Sequence, residues 1–394
     1  MTTMSTILGM AKSYNLNSSP QLAAVEASLP FIREAIDVLD ISPSSNPLII
    51  ADFGSAQGLN SMYAMKMIIE HLKKKDERRQ ILVIHNDLPT NDWTSLVELL
   101  NKDKSYYGLA NGQSFYEQCL PMNSLSIGYS STAIHWFSSK PCNLSDHCTF
   151  DFAQDTKERD LFKRQAHFDY ALFLEQRSSE LILGSVLILI ILGTDDYGST
   201  GHDEQINLLY KCAQLIKLTP KELLDYTIPL YLRSYSECID YELFNRYSFE
   251  LIKSEFNSVQ MPFFKQYQDG QITLDELTQS ITLFNRSWSE SALKQSLLNN
   301  GRSEEDTEQL LTEFWTTYET EAKEHLYKYD SSLKSRNADE HANTGVVEDE
   351  AGLGEETDEK EELNDELEED EENTSILTFS AGPDELDAVT EEFD

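Results

Sequence analysis

A glycine-containing turn at residues 54–58 joins a candidate strand to a candidate helix. The apolar segment Leu48–Phe53 precedes the turn, and helical spacing begins at Asn60. Gly54 permits backbone torsions and a close ligand approach that a side chain would block. The helix start offers free N–H groups. This arrangement is typical of sites that bind a nucleotide-containing cofactor, although the third glycine of a dinucleotide fingerprint is missing.

A carboxylate follows the next candidate strand. Ile81–His85 is the second apolar run, and Asp87 comes two residues after it. An acidic side chain at this strand end can accept two hydrogen bonds from a ribose diol. Asp87 alone could equally be a turn residue. The strand, the glycine and the helix by themselves also leave a nicotinamide-dependent dehydrogenase open.

Short β-branched runs alternate with longer helical patterns in the first half of the chain, as in a parallel sheet covered by helices. Asn60–Lys75 and Trp93–Leu100 have helical spacing, Ser124–Tyr129 predicts a third strand, and Phe162–Glu180 predicts a long amphipathic helix. The apolar run Leu181–Gly193 is too short to cross a bilayer as a helix, so we interpret it as a buried strand.

Helical patterns dominate after Asp203, with turns around Pro220 and Pro229 and a returning strand near Ser248–Ile252. We expect these helices to cover the carboxyl edge of the sheet and to cap a pocket. The predicted organisation is an α/β core over residues 1–203, a mostly helical cap and substrate-pocket region over 204–334, and a disordered acidic tail over 335–394.

Charge limits the partners of the chain. The formal net charge is −38, and an acidic surface repels phosphate backbones and anionic lipids. We therefore expect neither a nucleic-acid nor a membrane partner. The start of the chain, Met1 to Gln21, predicts no signal peptide, and the five irregularly spaced cysteines are typical of reduced thiols in a cytoplasmic protein. Cys142, His147 and Cys148 lack the second ligand pair of a structural zinc site, so no metal is expected.

The acidic tail contains one slightly apolar segment. Glu348–Glu372 has strong like-charge repulsion and no apolar periodicity, which predicts disorder. Ile376–Phe379 could dock on the protein, but the sequence favours a solvated tail with no specific partner.

A series of short motifs, taken in order, resembles one plant enzyme family. Each motif is weak alone, but their order and spacing from about Lys12 to Tyr329 are specific. The motifs are Ser13–Gln21, Ala51–Asn60, Asn86–Trp93, Ser114–Tyr116, Leu120–Leu125, Ser130–Ser131, His135–Ser138, Phe168–Asp169, Phe173–Leu174, Arg177, Glu180–Leu181 and Ile228–Tyr231. In this region the chain resembles the SABATH methyltransferases, the salicylate, benzoate, jasmonate and theobromine type.

The resemblance implies a Rossmann-like methyltransferase fold that binds S-adenosyl-L-methionine in residues 1–203, with the helical cap over the active site. It also suggests a homodimer, which is common in the family. The implied cofactor contacts are Tyr14, Asn17 and Ser18 over the cofactor, Asp52, Gly54, Asn60 and Ser130 on the methionine side, Asp87 and Leu88 at the ribose, and Ser114 and Phe115 beside the adenine.

The resemblance also implies an acceptor site. Gln21 and Trp136 stand where carboxylate-methylating members hold the acceptor through an amide N–H and an indole N–H, and His135 and Tyr231 stand in the acceptor pocket. A carboxylate is already ionised at pH 7, so neither a general base nor a metal is needed, and catalysis is mostly placement. The expected reaction is an in-line SN2 transfer of a methyl group to the carboxylate of a small-molecule acid.

Departures from the family pattern leave the acceptor open. Thr132 stands where the family often has an aromatic residue, and Gln205–Leu208 contains no tryptophan to sandwich an aromatic acceptor. This implies a wider or more aliphatic pocket than in salicylate-type members. Two alternatives remain: a purine-like ring nitrogen as the acceptor, and a non-catalytic family member that acts as an interaction protein.

Overall fold

The structure, a computed structural model, describes residues 9–11, 13–40, 46–343 and 371–382, without the side chains of 328–343, 371 and 372. Its helices and strands in chain order are α1 (Tyr14–Asn17), α2 (Ser19–Val38), β1 (Leu48–Phe53), α3 (Leu59–Lys75), β2 (Ile81–Asp87), α4 (Trp93–Lys102), β3 (Tyr107–Gly112), β4 (Leu125–Ser131), α5 (Thr156–Glu180), β5 (Leu181–Thr194), α6 (Asp203–Leu215), α7 (Pro220–Asp225), β6 (Arg233–Ser234), α8 (Tyr235–Cys238), α9 (Tyr241–Arg246), β7 (Phe249–Gln260), α10 (Pro262–Gln268), α11 (Leu274–Asn299), α12 (Glu304–Asn343) and β8 (Glu371–Ala381).

One mixed sheet lies at the centre of the fold, in the strand order β3-β2-β1-β4-β5-β8-β7, with the short β6 paired to the end of β5. Strands β1 to β5 pair in parallel, and β8 is antiparallel to both of its neighbours. Parallel strands place their carboxyl ends at one edge of the sheet, so the residues that follow β1, β2 and β4 meet there. The predicted α/β architecture is confirmed.

Apolar layers cover both faces of the sheet. One layer joins the inner sides of α2 and α3 to the strands through residues such as Ile32 and Ile68. The other joins α5 and α9 through residues such as Phe173 and Phe244. The N-terminus of α5 is fixed by Asp155, whose carboxylate accepts from the backbone N–H of Lys157 at 2.9 Å. No helix in the described ranges is both long and apolar enough to span a bilayer.

Strand β3 was not predicted from the sequence. It lies at the sheet edge, and its sequence Tyr-Gly-Leu-Ala-Asn-Gly contains two glycines. Tyr107 and Leu109 are exposed, so the segment has neither the buried apolar run nor the β-branched content that marks the central strands. The adjacent strand holds it in register through backbone pairing.

The region 204–334 is mostly helical, as expected. Its core is formed where α6, α11 and α12 pack together through residues such as Leu209, Phe284 and Phe314. The returning strand predicted at Ser248–Ile252 is present but longer, since β7 runs to Gln260 and forms the far edge of the main sheet. The region therefore completes the sheet in addition to capping it.

The prediction of a disordered tail from residue 335 is wrong for two segments. Helix α12 continues to Asn343, and β8 inserts between β5 and β7. Ile376, Leu377 and Phe379 are each 0% exposed, because a central strand is covered on both faces and needs only a short apolar run. Acidic neighbours hid this run from composition-based reasoning. Residues 344–370 and 383–394, with most of the acidic run, lie outside the described residues.

Candidate active site

Two cavities lie side by side at the carboxyl edge of the sheet. The first, of about 370 Å³, is formed by the glycine turn, the start of α3 and the end of β4, and we call it the cofactor cavity. The second, of about 550 Å³, lies under the helical cap, and we call it the acceptor cavity. Tyr14, Gln21 and Thr132 line both cavities. This shared wall is where groups bound in the two cavities would meet.

The glycine turn forms one side of the cofactor cavity. Gly54 has a φ of +99°, and a Cβ there would collide with Ala133, so only glycine fits. Asp52 and Asn60 also line this cavity. Phe115 lies beside Gly54, so the glycine, the carboxylate and the aromatic ring predicted to surround a cofactor are brought together.

Residue 11 and residues 13–18 are tied across the turn by side-chain hydrogen bonds, and we call these residues the strap. The Gln57 Nε2 donates to the Ala11 carbonyl at 2.7 Å, and its Oε1 accepts from the Asn15 N–H at 3.2 Å. Asn60 Nδ2 donates to the Ser18 carbonyl at 3.0 Å. These hydrogen bonds hold Tyr14 at the shared wall. Ser18 is joined to the cofactor cavity by its hydrogen bond with Asn60, which lines that cavity.

Two predicted cofactor contacts differ from expectation. Ser130 is 1% exposed and donates its hydroxyl to the Phe53 carbonyl at 2.7 Å, which links β4 to β1. Side chains alternate along a strand, so Tyr129 and Ser131 line the cavity instead. Asn17 donates to the Ser13 carbonyl within α1. Neither Ser130 nor Asn17 lines either cavity, so a direct contact of either with a cofactor stays a prediction.

The ribose and adenine candidates surround the turn without lining either cavity. Asp87 accepts from the Ala56 N–H and from the Leu88 N–H, both at 2.7 Å. Ser114 accepts from the Tyr116 N–H at 3.3 Å. Asp87 therefore fixes the turn directly, and its carboxylate keeps further acceptor lone pairs.

The acceptor cavity contains neutral hydrogen-bonding groups without protein partners. Gln21 lies in the first turn of α2 and is 7% exposed, and its Oε1 is unpaired. His135 Nδ1 is also unpaired. No hydrogen bond found within residues 9–11, 13–40, 46–343 and 371–382 occupies the Trp136 indole N–H. Leaving the buried Gln21 Oε1 and His135 Nδ1 unpaired is costly, so a ligand that pairs with them is favoured, and the Gln21 amide turned by 180° would present its Nε2 donor at the same place.

Tyr231 is the one predicted acceptor residue that lies outside the cavity. The centroids of its ring and of the Phe150 ring are 4.6 Å apart, and its hydroxyl donates to the Glu237 carboxylate at 2.7 Å. The chain is extended here, so neighbouring side chains point to opposite sides. Leu230 and Leu232 line the cavity in its place, so a role of Tyr231 in acceptor binding stays a prediction.

The comparison with protein families decides the family. The family model for the SAM dependent carboxyl methyltransferases matches residues 3–335. The chain belongs to this family. The resemblance found in the sequence motifs is thereby confirmed.

Other proteins of this kind agree with the assignment. A farnesoic acid carboxyl-O-methyltransferase of Arabidopsis thaliana is 32% identical over 48% of this chain and 59% of that protein. A loganic acid O-methyltransferase of Catharanthus roseus is 28% identical over 46% and 54%, so the chain spans a little over half the length of these relatives. A solved loganic acid methyltransferase structure with SAH has a TM-score of 0.72 at 18% identity and covers 96% of this chain and 99% of that one, which confirms the fold.

The residues of the cofactor cavity fit S-adenosylmethionine, the cofactor of the family. Asp52 is 3% exposed in the cavity wall, and burial raises its pKa to about 7. Burial also raises the pKa of Asp87 to about 6. Within the described ranges no Lys or Arg lines either cavity. A ligand with sulfonium and ammonium charges would favour the ionised carboxylates.

Sequence reasoning missed Asn15, Gln57, Ser131 and His202. Asn15 and Gln57 hold the strap, Ser131 lines the cofactor cavity, and His202 lines the acceptor cavity. A polar amide directly before Gly58 was a usable signal for Gln57, which lies in the motif Ala51–Asn60 but was assigned no role. Tertiary packing determines which way the Ser131 side chain points and that His202 is buried, so neither could be predicted from the sequence.

Proposed function

We propose that this protein transfers a methyl group from S-adenosylmethionine to the carboxylate of a small, mostly apolar acid. When bound, the cofactor supplies a methyl group that is already activated by the positive charge on its sulfur. The main support is the shared wall, where the cofactor cavity and the acceptor cavity meet at Tyr14, Gln21 and Thr132.

The chain would hold the cofactor through groups of complementary charge. Asp52 lies in the cavity wall as a buried carboxylate, suited to an ammonium group. Asp87 fixes the turn through Ala56 and keeps lone pairs for a ribose diol. The strap lies across the turn, held by Gln57, and would cover a bound cofactor.

The acceptor carboxylate would be aimed by neutral donors. Gln21 and Trp136 line the acceptor cavity and would offer their amide and indole N–H groups to the carboxylate, and the ring centroids of Trp136 and Trp288 are 6.5 Å apart. Neutral donors orient a carboxylate without the tight ion pair that would reduce its nucleophilicity. Placement of the attacking oxygen about 3 Å from the methyl carbon is then the main contribution to catalysis.

No side chain is required to remove a proton. The acid is ionised at pH 7, and burial lowers the pKa of His135 to about 3, so the ring is neutral. His135 can donate or accept a hydrogen bond in the cavity, but as an imidazole with so low a pKa it is a poor general base.

The test is methyl transfer to a panel of carboxylic acids and xanthines, with isotope-labelled S-adenosylmethionine. Methyl esters release labelled methanol in mild base, whereas N-methyl products do not. We expect base-labile product from at least one acid. Base-stable product from xanthines alone, or no transfer from a cofactor that binds, would overturn the proposal.

A further inference from the structure

Two buried polar side chains of the acceptor cavity, Thr149 and His202, take no part in the proposed reaction, and the Thr149 hydroxyl is hydrogen-bonded to His147 Nδ1 at 3.1 Å. His202 directly precedes α6, is 8% exposed, and lines the acceptor cavity but not the cofactor cavity. Gln21 and Thr132, in contrast, line both. His202 therefore belongs to a part of the wall that is not shared with the cofactor cavity.

His202 has unused hydrogen-bonding capacity. Its Nδ1 has no hydrogen-bond partner among the described residues. The neighbouring Asp203 does not supply one, because its carboxylate accepts from the backbone N–H of Thr200 at 2.9 Å and from the Thr200 hydroxyl at 2.5 Å. Burial lowers the pKa of His202 to about 4, which outweighs the opposite effects of Asp203 and Thr200. The ring is therefore neutral at pH 7 and offers one donor and one acceptor.

The cavity around His202 is largely apolar, with aromatic side chains such as Trp136, Phe284 and Trp288 beside the aliphatic ones. Leu192, Ile206, Leu230 and Leu232 line the same cavity, and within the part of the chain that the structure describes no Lys or Arg does so. A second carboxylate buried here would lack a compensating cation, which is unfavourable. An uncharged oxygen would satisfy the imidazole without that penalty.

We propose that His202 determines specificity by hydrogen-bonding a second, uncharged oxygen of the acceptor, a hydroxyl or keto group remote from the methylated carboxylate. The inference rests on the proposed function, since it concerns the acid that this site methylates. It narrows the substrate class to apolar monocarboxylic acids that carry one further oxygen function.

The test uses matched pairs of fatty acids, each consisting of a hydroxy- or oxo-substituted acid and its unsubstituted parent of equal chain length. The substituent is moved along the chain from pair to pair. For the wild type we expect kcat/KM to favour the substituted acid by about tenfold or more in at least one pair, because the parent leaves His202 unpaired.

Three variants locate the effect. His202→Phe keeps a ring but removes both nitrogens, and we expect the preference to fall to about onefold. His202→Gln restores a neutral donor and acceptor and should recover part of it. His167→Phe applies the same change to a histidine whose side chain is 66% exposed, and it should keep the wild-type preference. The melting temperature reports whether each variant is folded.

Esterification of substituted and parent acids at equal kcat/KM by the wild type would overturn the inference and leave the proposed function standing, whatever the variants do. Retention of the full preference by folded His202→Phe would also overturn it. Failure to esterify any acid would instead overturn the proposed function, and this inference with it.

Discussion

At the scale of single residues, the proposed acceptor site is built from neutral groups. Among the described residues nothing pairs with Gln21 Oε1, His135 Nδ1 or the Trp136 indole N–H, and burial keeps the His135 ring neutral. A carboxylate in such a site is oriented by hydrogen bonds and stabilised by the positive charge of the cofactor beside it. Loss of one donor should therefore reduce turnover more than cofactor binding.

Trp136→Phe tests this role. The change removes the indole N–H and keeps an aromatic ring, so we expect kcat/KM for the acid to fall by about a hundredfold, with little change in cofactor affinity. Steady-state kinetics and calorimetry measure the two quantities. Trp93→Phe, on α4, is the matched control and should behave as wild type. Unchanged kcat/KM in folded Trp136→Phe would contradict the assigned role.

Asp52 predicts a pH dependence of cofactor binding. Burial raises the pKa of Asp52 to about 7, so its carboxyl is protonated in the free protein at lower pH, and a cationic ligand favours the ionised form. Affinity for S-adenosylmethionine should fall as pH drops through about 7. Titration calorimetry across this range measures it. Asp52→Asn should bind weakly with a flatter profile, and an unchanged profile would count against the assignment.

The same burial affects the stability of the free protein. A carboxyl whose pKa is raised on folding stabilises the native state while it is protonated, and this contribution is lost as pH rises from about 4 to about 7. Urea unfolding of the ligand-free protein at both pH values, compared with Asp52→Asn, measures the contribution. We expect the unfolding free energy to decrease more between the two pH values in the wild type than in Asp52→Asn. Equal decreases in the two proteins would contradict this expectation.

At the scale of elements, the strap joins the cofactor turn to the cap. Gln57 ties it to the turn, and the Ala11 N–H donates to the Ser287 carbonyl of α11 at 3.0 Å. Tyr14 is buried in the strap, and these hydrogen bonds fix the polar residues on either side of it. The order of the strap should therefore depend strongly on the buried side-chain amide of Gln57.

Gln57→Ala removes two of these hydrogen bonds. We expect the affinity for S-adenosylhomocysteine to fall by about tenfold, the effect of one to two net hydrogen bonds, and protease cleavage near residue 11 to become faster. Gln113→Ala, which removes local contacts on a more exposed loop, is the control and should leave both quantities unchanged. Wild-type affinity in Gln57→Ala would show that the strap does not contribute to cofactor binding.

At the scale of the whole molecule, the sheet is completed by the last described segment of the chain. Without β8, strands β5 and β7 would each lose a hydrogen-bonding partner. Unpaired central edges expose backbone groups and favour aggregation. The C-terminal strand should therefore be as important for stability as the N-terminal core.

Phe379→Ala tests this expectation. Phe379 is 0% exposed, and the centroids of its ring and of the Phe244 ring are 4.8 Å apart. We therefore expect a loss of about 3–5 kcal/mol in unfolding free energy. Leu183→Ala lies on neighbouring β5 but is 67% exposed and should change stability by less than about 0.5 kcal/mol. Urea unfolding measures both. Equal, small effects would show that β8 does not belong to the native core.

The sequence predicted those parts of the fold that follow from local patterns. The glycine turn after β1, the helix α3 and the buried β5 could be predicted because periodicity and turn chemistry agree there. The direction in which the Ser130 and Tyr231 side chains point could not be predicted, since a shift of one residue along an extended segment turns a side chain to the opposite face. Strand β8 was missed because its pairing is long-range and its neighbours in the sequence are acidic. The acidic composition outweighed the short run Ile376–Phe379, which contains three apolar residues and one threonine.

The most direct test of the account is a crystal structure with S-adenosylhomocysteine and a carboxylic acid that the enzyme methylates. We predict the thioether sulfur beside Gly54 in the cofactor cavity, and the carboxylate within hydrogen-bonding distance of Gln21 and the Trp136 indole. One carboxylate oxygen should face the sulfur across the shared wall. A carboxylate bound elsewhere, or a thioether outside the cofactor cavity, would contradict the account.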